Sequence, residues 1–125
     1  IDFSAGRDLQ LGATLDASGA STGAIDLLAG RDVVIAGIDL TAAREAGSGG
    51  VLTVAAGGNI TVSGPIRANG DGPDQALGGC GGQIELAADF GDVIVNSQIE
   101  AKGASPDGQG GEILVTALGS VTVGN

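Results

Sequence analysis

Residues 82–103 read GQIELAADFGDVIVNSQIEAKG, and the fold follows from how that stretch is punctuated. It holds three short alternating runs: Ile84-x-Leu86-x-Ala88, Val93-x-Val95-x-Ser97 and Ile99-x-Ala101. Glycine, aspartate and asparagine separate them. An apolar residue at every second position describes a strand with one face turned inward. Three such strands within about twenty residues, repeated along a chain, describe a solenoid.

The same triplet recurs on either side. An earlier coil runs Ile1-x-Phe3-x-Ala5, Leu9-x-Leu11-x-Ala13 and Leu15-x-Ala17. The next runs Ile25-x-Leu27-x-Ala29, Val33-x-Ile35-x-Gly37 and Ile38-x-Leu40, one residue short around Gly37. A third runs Leu52-x-Val54-x-Ala56, Ile60-x-Val62-x-Gly64 and Ile66-x-Ala68. After residues 82–103, a fifth begins with Ile113-x-Val115-x-Ala117 and Val121-x-Val123.

The corner after the first strand of each coil barely varies: Ala5-Gly-Arg-Asp-Leu9, Ala29-Gly-Arg-Asp-Val33, Ala56-Gly-Gly-Asn-Ile60. Glycine supplies the backbone freedom of a tight corner, and Asp or Asn is expected to bond its own backbone there. The fourth coil carries one extra residue, within Asp89-Phe90-Gly91-Asp92, which reads as a bulge. After the third strand the spacing relaxes. Seven residues separate Ala17 from Ile25, eleven Leu40 from Leu52, fifteen Ala68 from Ile84 and eleven Ala101 from Ile113. Length variation held to one corner marks surface loops along one edge.

These features predict an all-β fold: a right-handed parallel β-helix, or β-solenoid, of about five coils, each with three short strands and variable loops at one corner. Residues 1–125 read as a single solenoid segment without a capping helix or polar capping repeat at either end. Such a segment is a slice of a longer shaft or stacks on copies of itself. A β-sandwich would call for hairpin turns and bulkier core residues.

Composition narrows the function classes. Glycine accounts for 25 of 125 residues, aromatics for 2%, and His, Trp, Tyr and Met are missing. Net charge is −10 with only 5 Lys and Arg. Recognition of a phosphate backbone or an anionic membrane needs cations this chain lacks. No apolar run reaches the roughly eighteen residues of a membrane span.

The Ala-Gly-Arg-Asp-Leu/Val-x-Leu/Ile motif at 5–11 and 29–35, with the Gly-Gly-x-Ile-x-Leu openings, resembles the shafts of filamentous-haemagglutinin-type exoproteins and other glycine-rich bacterial surface β-helices. The resemblance spans all five coils. It implies an extracellular or cell-surface location, a structural or adhesive role, no enzyme activity, and partners consisting of neighbouring coils or copies stacked end to end. The matching motifs are structural ones, so the resemblance brings no functional residues with it.

Outward positions stack into ladders. One face carries Asp2, Asp26, Thr53, Glu85 and Leu114; the second Gln10, Val34, Thr61, Ile94 and Thr122; the third Asp16, Asp39, Arg67 and Glu100. Carboxylates one coil apart can share a divalent cation, but Arg67 between Asp39 and Glu100 favours an ion-paired ladder. Without His and with few cations, a polysaccharide-acting enzyme ranks lowest. Val34 and Ile94 interrupt the threonines of the second face, a hint of lateral contact.

Metal candidates are Asn69, Asp71, Asp74 and Asp107, oxygen ligands in adjacent loops that would suit a Ca²⁺-dependent binding module. They lack a closing bidentate Glu, and turn chemistry accounts for the same residues. Cys80, within Gly78-Gly-Cys-Gly-Gly82, is either an intermolecular cross-linking thiol or a small corner residue.

Overall fold

A computed structural model describes residues 1–19, 23–42, 47–70, 79–104 and 108–124. The twelve strands are β1 (Asp2–Ala5), β2 (Leu9–Asp16), β3 (Ala24–Ala29), β4 (Val33–Asp39), β5 (Val51–Ala56) and β6 (Ile60–Val62), then β7 (Ile66–Arg67), β8 (Gln83–Ala88), β9 (Val93–Val95), β10 (Ile99–Glu100), β11 (Glu112–Ala117) and β12 (Val121–Val123). Every pairing between them is parallel. No helix occurs among the described residues. The fold is a β-solenoid.

The first face is one five-stranded sheet ordered β1-β3-β5-β8-β11. The second and third faces share a sheet, because β2 and β4 run through the corner that joins them. In later coils that corner splits the strand, at Ser63-Gly-Pro65 and at Asn96-Ser-Gln98. The second coil spends only Ala36 and Gly37 on it, which accounts for the missing residue; the β2–β4 register shifts between Leu11 and Thr14 to absorb the difference.

Inward side chains form columns. Ile25, Leu52 and Ile84 stack in one, Leu27, Val54 and Leu86 in the next, and Ala29, Ala56 and Ala88 line the corner. The second face contributes Val33, Ile60 and Val93 beside Ile35, Val62 and Val95; the third contributes Ile38 and Ile66. These side chains are buried, and no polar or charged residue is buried among the described ones. Each buried Val, Leu or Ile contributes about 1.5–3 kcal/mol. The core is therefore purely aliphatic, as the alternation requires.

The second face is shorter than the alternating runs predict. Ser97 is half-buried in the corner because β9 is only three residues long, and Ala13 is exposed within β2 at the point where the register with β4 shifts. Three residues place one side chain outward between two inward ones, and the backbone then turns.

Glycine is mandatory where the chain enters the first face. The N–H groups of Val51, Gln83 and Glu112 donate to the carbonyls of Gly23, Gly50 and Gly82 at 2.9, 3.0 and 3.0 Å. A Cβ on Gly50, Gly82 or Gly111 would run into the carbonyl of the glycine one coil below. The Gly-Gly-x-Ile openings thus fill a column in which glycine stacks only on glycine.

Two substitutions check this geometry. Val95 is fully buried, so Val95→Asp is expected to abolish the cooperative thermal transition, an unpaired buried carboxylate costing about 3–5 kcal/mol. Ile94→Asp, one residue away on the outer face, is expected to keep the fold, as read by far-ultraviolet circular dichroism. In the same assay Gly82→Ala is expected to lower stability by about 1–3 kcal/mol. Gly12→Ala, with open space around its Cβ position, is expected to leave it nearly unchanged.

Candidate functional site

The polar groups concentrate at three places: the corner between the first and second faces, the exit of the third face, and the loop edge. At the first, Asp8, Asp32, Asn59, Asp92 and Ser120 occupy one column. A side-chain oxygen of each of the first four accepts the backbone N–H of the residue one coil above. Asp8 Oδ1 takes Asp32 N–H at 3.4 Å, Asp32 Oδ1 takes Asn59 at 2.8 Å, Asn59 Oδ1 takes Asp92 at 2.8 Å, and Asp92 Oδ1 takes Ser120 at 2.7 Å. The expected local bond to the residue's own backbone is replaced by a bond between coils. With coils one strand spacing apart, the carboxylate of one corner reaches the amide of the next.

Arg31 leans down from this column and pairs with Asp8, Nη2 to Oδ2 at 2.8 Å. The Arg31 guanidinium, and after it the Asp32 amide, hold the Asp8 carboxyl below its ordinary range. Both side chains are more than half exposed or close to it, at 62% and 50%, so the pair adds little to stability. Repetition of Gly-Arg-Asp one coil apart was the signal for this contact.

At the third-face exit, Asp16, Asp39, Arg67 and Glu100 stack as the alternation predicts. Their bonding is less uniform. Asp16 accepts the Ser18 hydroxyl and amide, and Asp39 Oδ1 accepts the Thr41 amide at 3.0 Å, both local turns. Glu100 collects the cations: Lys102 Nζ at 2.7 Å and Arg67 Nε at 3.7 Å, with Asn69 Nδ2 donating at 3.4 Å. Its side chain is only 16% exposed. Lys102, then Asn69, hold the Glu100 carboxyl below its usual value, as Ser18 does for Asp16. The ladder expected from sequence is real in its stacking, with Arg67 serving Glu100; the roles of Lys102 and Asn69 come from folding back across the exit.

Asn69 is the one metal candidate that can be placed. Its Oδ1 accepts the Lys102 amide at 2.9 Å and its Nδ2 faces Glu100, so it works as a bridge between coils. Asp71, Asp74 and Asp107 lie outside the described residues. Among the described residues no group of three or more His, Cys, Asp or Glu side chains comes close enough to hold a metal ion. Cys80 carries an exposed free thiol, and its carbonyl accepts the Gly49 amide at 2.9 Å.

The first-face ladder Asp2, Asp26, Thr53, Glu85, Leu114 stacks in register as predicted. A shallow depression there is lined by Thr53, Gln83, Glu85, Glu112 and Leu114. Chemically these arrangements are surfaces and braces.

The lowered carboxyls give a signed prediction. Asp8, Asp16 and Glu100 titrate lower folded than unfolded, so their contribution is complete above the ordinary range, 4.5 for Glu100, and disappears as pH falls through the lowered folded values. Tm is expected to hold steady from neutrality to that range and to drop below it. Glu100→Gln is expected to flatten the drop, and so is molar salt; identical acid profiles for the variant and the parent would contradict the bonding described for Glu100. No protein-family model, curated protein or solved structure matches this chain.

Proposed function

We propose that this chain is a shaft segment of an extracellular bacterial surface fibre or secreted exoprotein, with a structural and adhesive role. The observation that carries the reading is continuity. Successive coils stack in register on all three faces, and the polar side chains at the corners bond one coil to the next. A stack braced this way resists bending and transmits tension along its axis. It leaves the variable loops at one edge to make contacts. The glycine-rich corner motifs that resemble filamentous-haemagglutinin-type shafts support the same assignment. The partners of such a shaft at its ends are coils of the same repeat, from the same protein or from copies of it.

The alternative, a Ca²⁺-dependent binding module, finds less support, since Asn69 gives its oxygen to the Lys102 amide and lies beside a cation. Two experiments address these readings. Antibodies raised against the chain are expected to label fibres on intact cells of its source by immunogold microscopy. Labelling only after permeabilisation would overturn the surface assignment. Thermal melting is expected to be insensitive to calcium up to the millimolar range, because a ligand of the native state raises Tm with its concentration; a concentration-dependent rise would restore the calcium module.

A further inference from the structure

The outer column of the second face has an order that the fold does not require. It reads Gln10, Val34, Thr61, Ile94, Thr122 from coil one to coil five, and the register aligns all five. Around Thr61 it is balanced: Val34 and Ile94 are apolar one coil to either side, and Gln10 and Thr122 are polar two coils to either side.

The corner beside it has a matching polarity. Its lower half bears Arg7 and Arg31, the latter 62% exposed in its side chain. Its upper half bears Asp89, Phe90 and Leu118, with Phe90 80% and Leu118 73% exposed. Phe90 belongs to the four-residue corner Asp89–Asp92, where the other coils use three, and it is one of only two phenylalanines in the chain. Between the halves lie Gly57 and Gly58, which leave the middle of the corner flat. On the other side of the column the residues are small: Gly12, Ala36, Ser63, Asn96, Gly124.

We propose that this face binds a second copy of the chain, the two solenoids running antiparallel about a two-fold axis that passes through Thr61 along the strand direction. An isologous contact requires that residue i meet j while j meets i. This axis satisfies it throughout. Val34 meets Ile94, Thr61 meets Thr61, and Gln10 meets Thr122. Arg31 of one copy, its guanidinium paired with Asp8 yet still 62% exposed, comes level with Asp89 and Phe90 of the other, which sets a cationic corner against an acidic and aromatic one. Arg7 comes against Leu118. Asp32 falls opposite Asp92, but each already accepts an amide of the coil above, and Arg31 sits beside it. The other two-fold, along the solenoid axis, would keep each coil level with itself and set the corner bearing Arg31 against the small flank at Ala36, so that Arg31 would not meet Asp89.

The contact is modest. Five coils at the strand spacing give a face about 24 Å tall, and one outward column with its two flanks covers only a few hundred Å² per copy, roughly half that of a standard stable complex. The dimer is therefore weak and concentration-dependent, suited to lateral association of neighbouring shafts.

Sedimentation equilibrium and thiol cross-linking test the proposal on the folded 125-residue chain. The parent is expected to pass from monomer to dimer as its concentration rises towards millimolar. Ile94→Asp or Arg31→Asp is expected to weaken the dimer at least tenfold. The swapped pair Arg31→Asp with Asp89→Arg is expected to recover most of that loss. In a Cys80→Ser background, a short bis-maleimide is expected to join Thr61→Cys chains to one another. It is expected to join Val34→Cys to Ile94→Cys in a mixture and to leave Val34→Cys alone unlinked. A monomer at every concentration would overturn the proposal. So would loss without recovery in the swapped pair, or Val34→Cys linking to itself as readily as Thr61→Cys does.

Discussion

Everything in this molecule answers to one repeated distance, the spacing of roughly 4.8 Å at which parallel strands of successive coils share their hydrogen bonds. Because the register is kept from coil to coil, each position along the chain lies directly above the same position in the coil below. A residue is thereby tolerated only if it can stack on its counterparts in the coils above and below. Alanine on alanine fills the first corner, and isoleucine, leucine and valine fill the interior. Glycine on glycine occupies the entry to the first face, where any Cβ would strike the carbonyl beneath it. The near-absence of aromatic residues fits the same interior, in which a ring is broad against a core three strands around.

The same constraint turns carboxylates into braces. Charges of one sign stacked at this distance repel, and the column at the first corner would be unfavourable if its oxygens faced only each other. Each instead takes the amide of the next coil, an acceptor for a donor that the tight corner leaves unpaired. Asn59 does the same work without a charge, which thins the repulsion in the middle of the column. Asn69 repeats the device at the loop edge, and Glu100 draws Lys102 and Arg67 to it. Acidic residues that could suggest a metal or catalytic site thus have their lone pairs directed into the scaffold at the positions where their bonding is described.

The architecture was legible because period-two patterning fixes which side chains point inward, and stacking makes the pattern repeat. The inward set from Ile25 to Ala101 and all three outward ladders follow from counting alone. Bonding between coils was less legible. A sequence gives the identity of Asp32 and Asn59 but not the direction in which their side chains reach, and the local turn and the inter-coil bond draw on the same residue types. Ala13 and Ser97 depart from the alternation for a related reason. Alternation continues through a corner on paper, whereas β9 ends after Val95 and the register of β2 on β4 shifts between Leu11 and Thr14. Glu100 shows the limit of ladder reasoning most clearly: its nearest cation is Lys102, two residues on in its own coil, at 2.7 Å.

If stacking accounts for the residues that obey the repeat, the departures from it need another explanation. Phe90 is an insertion in a corner that is otherwise constant, and its ring is turned to solvent, where it does nothing for the core. Val34 and Ile94 interrupt a column that threonine would fill with equal β-propensity and less exposed apolar surface. Arginine appears in the corner column only in the two lowest coils, and gives way to glycine above. Arg31 braces its coil to Asp8 in the coil below, but Phe90, Val34 and Ile94 bring no such brace, so interior selection does not explain them. They share one edge and one face, and Val34 and Ile94, like Arg31 and Phe90, lie one coil to either side of Thr61. Departures scattered by drift would have no reason to respect that centre; departures shaped by contact with an inverted copy would.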